Sequence, residues 1–169
     1  MRIFLDRIYD AAAFLAALFL VGTLAMVLLG IAGRLLGWYI PGTDAYAGYC
    51  MAAGGFLALA HTLKRGEHIR VSLILEHTSG PVRHRLELWA LAVATFLASA
   101  VAWYSARLAF QSWQFNDIST GTDATPLWIP QLTMAFGTLV LAVAFVDELA
   151  LEWKGRRRRE APQEALHNE

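Results

Sequence analysis

Four uninterrupted apolar runs, each about as long as a membrane is thick, constrain this chain more than any other feature. They cover residues 11–33, 45–63, 88–106 and 127–146. A helix needs about 20 apolar residues to cross a hydrocarbon core of about 30 Å, and each run is close to that length. With 57% hydrophobic and only 17% charged residues, the chain has too little polar surface to cover a soluble domain. The sequence therefore predicts an all-α integral membrane protein with four transmembrane helices.

The first run differs from a cleaved secretory signal. The apolar centre of a signal has about 7–15 residues, whereas this run is longer and follows a segment that contains Asp6 and Asp10. Bulky residues over 34–39 also replace the small residues of a cleavage site. We therefore expect a retained helix.

Lysine and arginine residues lie almost entirely on one side of the predicted membrane. All but two of the 14 precede the first run, connect the second and third runs, or follow the fourth. Only Arg34 and Arg107 fall in the other two connections. Because short loops rich in Lys and Arg remain in the cytoplasm, both ends of the chain are predicted to be cytoplasmic.

Aromatic residues favour membrane interfaces and mark both predicted boundaries. The outer boundary has Trp38, Tyr39, Trp103, Tyr104, Trp113 and Trp128, and the inner one has Trp89 and Trp153.

The charge distribution predicts one membrane domain over residues 1–154 and a disordered, polar cytoplasmic tail over residues 155–169. We interpret the Arg156–Arg159 run as a topology anchor that attracts anionic lipid, and we expect no nucleic-acid partner. Residues 64–87 form a short basic cytoplasmic connection whose apolar positions fit neither helix nor strand periodicity. Its structure stays open, with a path along the membrane surface as one alternative. Residues 107–126 are predicted to form the longer outer loop.

The centres of the four runs contain no Asp, Glu, Lys or Arg. A carrier that moves ions or charged solutes by itself keeps an ionisable group in the bundle interior. Asp44 and His61 are the nearest candidates, but about 25 Å of helix separates them, so they cannot form a proton relay. We expect Asp44 to be either the N-cap of the second helix or a contact to a partner. We expect His61 to bond to a neighbouring helix or a lipid headgroup near the inner interface.

No cofactor or metal site is predicted. Cys50 is the single cysteine, which excludes an internal disulfide and any paired-cysteine metal or redox site. Haem ligation by two histidines needs both at matching depth on different helices. The other four histidines lie outside the predicted spans: His68, His77, His84 and His167. We therefore expect no haem.

Small residues recur at every fourth position in two of the runs. Small side chains at this spacing let helix backbones approach closely in lipid, where packing drives association. The pattern leaves open whether they serve contacts within the chain or docking to a larger partner. The two stripes are Ala90, Ala94, Ala98, Ala102 and Ala106 in the third run, and Cys50, Gly54, Ala58 and Thr62 in the second.

Two stretches of the sequence resemble the small permease subunit of tripartite ATP-independent periplasmic (TRAP) transporters. The similarity in length, in the four spans and in the basic second connection extends along nearly the whole chain. The chain departs from the family at Asp44, where Glu is frequent, and at Ser72, where an acidic residue is frequent. The two stretches are Gly55-Phe56-Leu57-Ala58-Leu59-Ala60 followed by Lys64-Arg65-Gly66-Glu67-His68-Ile69-Arg70-Val71, and Thr125-Pro126-Leu127-Trp128-Ile129-Pro130-Gln131 followed by Met134 and Gly137.

The resemblance implies a non-catalytic membrane subunit of a sodium-coupled, binding-protein-dependent secondary transporter for organic anions such as carboxylates, located in the bacterial inner membrane. The implied partners are a large multispanning permease subunit, which the small subunit scaffolds, and a periplasmic solute-binding protein. Two alternatives stay open: a membrane anchor of a redox enzyme, and a self-sufficient small transporter. We expect contacts to the partner subunit or to lipid headgroups from Asp44, His61, Lys64, Arg65, His68, Arg70, Trp128 and Gln131.

Overall fold

The computed structural model describes residues 2–38, 40–65 and 81–154. Within these ranges the chain forms four long helices and no β-strand, apart from an isolated bridge between Ile118 and Pro126. The predicted all-α class is therefore confirmed. The helices are α1 (Arg2–Leu36), α2 (Thr43–Lys64), α3 (Pro81–Gln114) and α4 (Trp128–Trp153).

Three of these helices, α1, α3 and α4, are long and apolar enough to cross a membrane. The 22 residues of α2 reach about 33 Å. They are less apolar, because α2 contains three glycines, two tyrosines and His61. The chain is thus a helical membrane protein with three candidate spans in its described part, and a fourth span by α2 stays a prediction.

The helices extend beyond the apolar runs that predicted them, and α3 differs most. It ends at Gln114, so the expected loop over residues 107–126 is wrong for residues 107–114, and Arg107 lies inside the helix. Ala, Leu, Arg and Gln all favour helix, so nothing in this stretch terminates α3. The chain leaves the helical conformation at Asn116, whose φ is 52°.

Most of the predicted basic connection lies outside the described residues, as does the predicted tail over 155–169. Residues 81–87 of that connection belong to α3, which begins at Pro81. Proline suits the first turn of a helix, where its missing N–H would have no partner.

The helices pack side by side in the order α1, α2, α4, α3. Helix α2 lies between α1 and α4, whereas α3 packs mainly against α4, and α1 touches α4 only slightly. The two hairpins α1–α2 and α3–α4 are therefore joined along α2 and α4. Much of the surface of α1 and α3 faces away from the rest of the chain.

Glycines make the closest approaches between neighbouring helices. A Cβ added to Gly54 of α2 would lie 3.2 Å from the carbonyl oxygen of Ala16 in α1. One added to Gly137 of α4 would lie 2.6 Å from the carbonyl oxygen of Phe56 in α2, closer than real side chains approach. Small residues at these positions therefore serve packing within the chain.

The predicted alanine stripe of α3 lies only partly in an interface. Ala98 and Ala102 are buried in a cluster with Ala142 of α4, whereas Ala90 and Ala106 are exposed. A stripe with a spacing of four rotates around a helix of 3.6 residues per turn, so it leaves the interface. The buried positions of α3 instead follow spacings of three, four and seven: Leu91, Ala98, Ala102, Ser105, Ala109 and Ser112.

Candidate functional site

The end of the array at which α2 terminates, which we call the Lys64 end, contains a shielded cluster of charges. Lys64 forms an ion pair with Asp147 of α4 and lies 3.7 Å from a carboxylate oxygen of Glu148. The three side chains are 21%, 19% and 13% exposed, respectively. The Lys64 ammonium group also lies 5.2 Å from the centre of the Tyr9 ring of α1, a cation–π distance. This cluster joins α2 to α4 and brings α1 against both.

Two histidine–carboxylate contacts join the remaining helix pairs at the same end. His61 Nδ1 of α2 lies 3.6 Å from Asp10 Oδ1 of α1, and His84 Nδ1 of α3 lies 2.8 Å from Glu152 Oε1 of α4. Glu152 is buried. Each neighbouring pair of helices in the array is therefore joined by polar contacts at the Lys64 end.

A hydrophobic cluster adjoins these charges where α1, α2 and α4 meet. Tyr9 is its largest member and is 2% exposed, and its hydroxyl has no hydrogen-bond partner among the described residues. Packing and charge together thus fix the relative positions of three helices. The cluster consists of Tyr9, Ala60, Leu63, Val140 and Ala144.

The opposite end, which we call the Asp123 end, is organised by the loop between α3 and α4. The Asp123 carboxylate accepts hydrogen bonds from the Tyr49 hydroxyl of α2 at 3.0 Å, the Ser119 hydroxyl at 2.9 Å and the Thr125 backbone N–H at 3.3 Å. Side-chain hydrogen bonding, from Thr125 above all and also from Ser119 and Tyr49, lowers the pKa of Asp123 to about 2. The Thr125 hydroxyl also donates to the Tyr46 hydroxyl of α2 at 3.2 Å. The loop is therefore bonded to the first turns of α2.

An exposed ion pair joins α1 and α2 at the Asp123 end. Arg34 Nη2 lies 3.4 Å from Asp44 Oδ1, with the two side chains 73% and 85% exposed. The expectation that Asp44 caps α2 is wrong, since Gly42 occupies the N-cap position with φ of 81° and no side chain bonds to it. The helix begins at Thr43, so Asp44 lies two residues past the N-cap position. Its negative charge still suits the first turn of α2.

The structure places the predicted contact residues in different environments. Lys64 and Asp44 already contact other helices of this chain, and His61 Nδ1 lies 3.6 Å from Asp10 of α1, longer than a hydrogen bond. The expected bond of His61 to a neighbouring helix or a headgroup stays a prediction. Trp128 and Gln131 lie half-buried at the start of α4, and the Gln131 amide oxygen has no partner among the described residues. Arg65 is exposed, while His68 and Arg70 lie outside the described residues. Their contacts to a partner subunit or to headgroups stay predictions.

The sequence reasoning missed the acidic groups of α4 that face the other helices. Lys64 and Asp147 each follow an apolar run directly, and the predicted topology places the ends of both runs on one side of the membrane. Opposite charges at that position could have indicated that α2 and α4 are neighbours. The pairing of His84 with Glu152 had no comparable signal, because it depends on the packing of α3 against α4.

One face of α2 has none of the other described residues packed against it. Gly48, Ala52 and Gly55 are exposed there, together with Met51. A Cβ added to Gly48 or Gly55 would meet nothing within 4 Å. We call this surface the free α2 face.

Four helices with apolar centres and charged ends define a helical membrane protein. The family model described as tripartite ATP-independent periplasmic transporters, DctQ component, matches residues 23–155. The chain belongs to this family, the small permease component of TRAP transporters, and the predicted resemblance is confirmed. No curated protein matches the chain. The matched segment includes α2, α3, α4 and α1 from residue 23 onward, so it contains Lys64, Asp147 and Asp123 but not Tyr9 or Asp10.

Proposed function

We propose that this chain is the non-catalytic subunit that scaffolds the large permease subunit of a sodium-coupled, binding-protein-dependent secondary transporter. The proposed cargo is an organic anion such as a carboxylate, delivered by a periplasmic solute-binding protein to the bacterial inner membrane. Membership of the DctQ component family supports a place in a tripartite transporter.

The dimensions of α2 support four spans. Asp44 and Lys64 are about 20 residues apart, which corresponds to about 30 Å of helix and to the thickness of a hydrocarbon core. Because α2 lies between α1 and α4, protein covers much of its less apolar surface. The bias of Lys and Arg then supports a cytoplasmic location for the Lys64 end and a periplasmic one for the Asp123 end.

The proposal rests on one observation above all, the distribution of charge in the interfaces. Polar contacts join every neighbouring helix pair at the Lys64 end, yet no ionised side chain lies in a described helix interface midway between the two ends. A transport site for anions and sodium needs polar or charged groups at mid-membrane depth. Helices that are joined at one end and have no charged site between them suit a subunit that stays rigid while its partner subunit moves.

The free α2 face supports a docking position for that partner. Side chains that face lipid do not need to be small, whereas interfaces between membrane helices are rich in Gly and Ala. Gly48, Ala52 and Gly55 provide such a face, which is exposed in the part of the chain that the structure describes. We propose that a helix of the large permease subunit packs there.

Co-purification of the tagged chain with its large permease subunit tests this position. The double substitution Gly48→Leu/Gly55→Leu should lower recovery of the large subunit at least tenfold, because Leu side chains hold the helices apart. Ala106→Leu is the matched control, since Ala106 is also small and exposed but lies on α3. Equal recovery with both variants would contradict docking on the free α2 face.

Reconstitution in lipid vesicles tests the scaffold role itself. Uptake of a labelled carboxylate under a sodium gradient should require the large subunit and the binding protein, and the chain alone should give none. Sodium-driven uptake by the chain alone would contradict the role. A haem or quinone spectrum in the purified chain would support a redox anchor instead.

A further inference from the structure

Arg107 is a charged residue inside a membrane-spanning helix. It lies about seven residues before the end of α3 at Gln114, and therefore roughly 10 Å below that end. Main-chain bonding places the end of α3 close to the start of α4, because the Leu127 N–H donates to the Asp117 carbonyl at 2.9 Å. Arg107 is thus level with the apolar part of α4 rather than with the loop.

Nothing in the described part of the chain neutralises Arg107. The side chain is exposed, and no hydrogen bond or ion pair joins it to any described residue. It lies on the side of α3 opposite Ala98 and Ala102, which face α4. The other arginine at the Asp123 end, Arg34, pairs with Asp44. A cation at this depth is costly unless an anion or water reaches it, so an unpaired one indicates a binding function.

Three aromatic side chains surround Arg107 on the helix surface. Trp103, Tyr104 and Phe110 lie three or four residues away, where side chains are neighbours, and are 70%, 65% and 58% exposed. Tryptophan and tyrosine favour the level of lipid headgroups, and arginine extends its guanidinium toward water from apolar surroundings. The guanidinium matches two oxygens of a phosphate in a bidentate arrangement.

From this arrangement we infer that Arg107, with Trp103, Tyr104 and Phe110, binds the phosphodiester group of one outer-leaflet phospholipid. Because the surrounding side chains are large, a lipid fits against Arg107 better than a helix of another protein does. Close helix contact needs small residues, which the free α2 face has, whereas large aromatic rings flank Arg107. This inference requires α3 to span the membrane and is independent of what is transported.

Native mass spectrometry of the purified full chain, titrated with phosphatidylglycerol or phosphatidylethanolamine, tests the site. The wild-type chain should retain one phospholipid about fivefold or more tightly than Arg107→Gln, with Arg107→Lys in between. Arg34→Gln is the matched control and should retain lipid like the wild type. Because Arg107 has no partner among the described residues, Arg107→Gln should leave the thermal midpoint unchanged.

Three outcomes would overturn the inference. The first is equal lipid retention by Arg107→Gln and the wild type. The second is displacement of the lipid by millimolar inorganic phosphate, which would show a site for free phosphate. The third is unchanged lipid retention with loss of the large subunit on co-purification, which would assign Arg107 to a carboxylate of that protein.

Discussion

The two ends of the helix array are held together by different kinds of interaction. At the Lys64 end, the mostly shielded charges of Lys64, Asp147 and Glu148 join α2 to α4, and buried Glu152 of α4 lies against His84 of α3. At the Asp123 end, a loop carboxylate accepts several hydrogen bonds, and the ion pair that joins two helices within the described residues, Arg34–Asp44, is exposed. Removing one member of a shielded pair leaves an uncompensated charge, whereas exposed pairs contribute about 1 kcal/mol or less. We therefore expect more of the fold's stability to depend on the Lys64 end.

Lys64→Met should have the largest effect. It leaves Asp147 and Glu148 without their shared cation in a shielded site, so the free energy of unfolding should fall by about 2 to 4 kcal/mol. Denaturant unfolding in detergent micelles, followed by tryptophan fluorescence, measures this change. Adding Asp147→Leu should recover part of the loss, since one uncompensated charge is removed.

Lys154→Met is the matched control for that measurement, because Lys154 is exposed just after α4. It should change the free energy of unfolding by less than about 0.5 kcal/mol. Equal stability of the Lys64 and Lys154 variants would mean that the shielded charges add nothing to the fold.

Tyr49→Phe should have a moderate effect at the Asp123 end. It removes the hydroxyl that donates to Asp123, the only side-chain bond between this carboxylate and α2 in the described chain. The expected loss is about 1 kcal/mol, together with faster proteolysis of the loop over residues 115–127. Tyr104→Phe on the exposed side of α3 should change neither. A loss as large as that of Lys64→Met would remove the proposed difference between the two ends.

Acidification should loosen the Asp123 loop before it affects the hydrogen-bonded backbone of the helices. The folded pKa of Asp123, about 2, lies below its ordinary value of 3.8. A lowered pKa means that the ionised group stabilises the fold above about pH 4 and that this contribution is lost as the pH falls toward 2. The protection factor of the Thr125 amide, which donates to Asp123, should fall over that window; this factor is the intrinsic exchange rate at the same pH divided by the observed rate.

Asp123→Asn should remove this pH dependence, and Asp117→Asn in the same loop should retain it, because only the Asp117 main chain is bonded. A protection factor at Thr125 that stays constant between pH 4 and pH 2, roughly, in the wild-type loop would contradict the role of the Asp123 charge.

The presence of four helices could be predicted from the apolar runs, and the family from the motif around Lys64. The length of α3 could not, because Arg107 ends an apolar run without ending a helix. Hydropathy reports where a membrane ends, whereas helix termination depends on backbone conformation, here at Asn116.

The contact between His84 and Glu152 could not be predicted from the sequence for a different reason. It joins residues far apart in the chain that do not directly follow apolar runs, so its prediction needs the order in which the helices pack. The positions of the small residues indicate only part of the order in which the helices pack. The same residue type packs against α1 at Gly54 and against nothing at Gly55.

Arg34→Gln should have the smallest effect, about 0.5 kcal/mol or less, because both members of the Arg34–Asp44 pair are mostly exposed. The small stabilisation by the Arg34–Asp44 pair should disappear as the salt concentration is raised from about 0.05 to about 1 M. Dissolved ions screen exposed charges strongly and shielded charges only weakly. Measured in the same unfolding series as Lys64→Met, it isolates the effect of shielding, because each substitution removes one cation from a contact between two helices. A salt-independent loss above about 2 kcal/mol for Arg34→Gln would mean that shielding does not distinguish the ends.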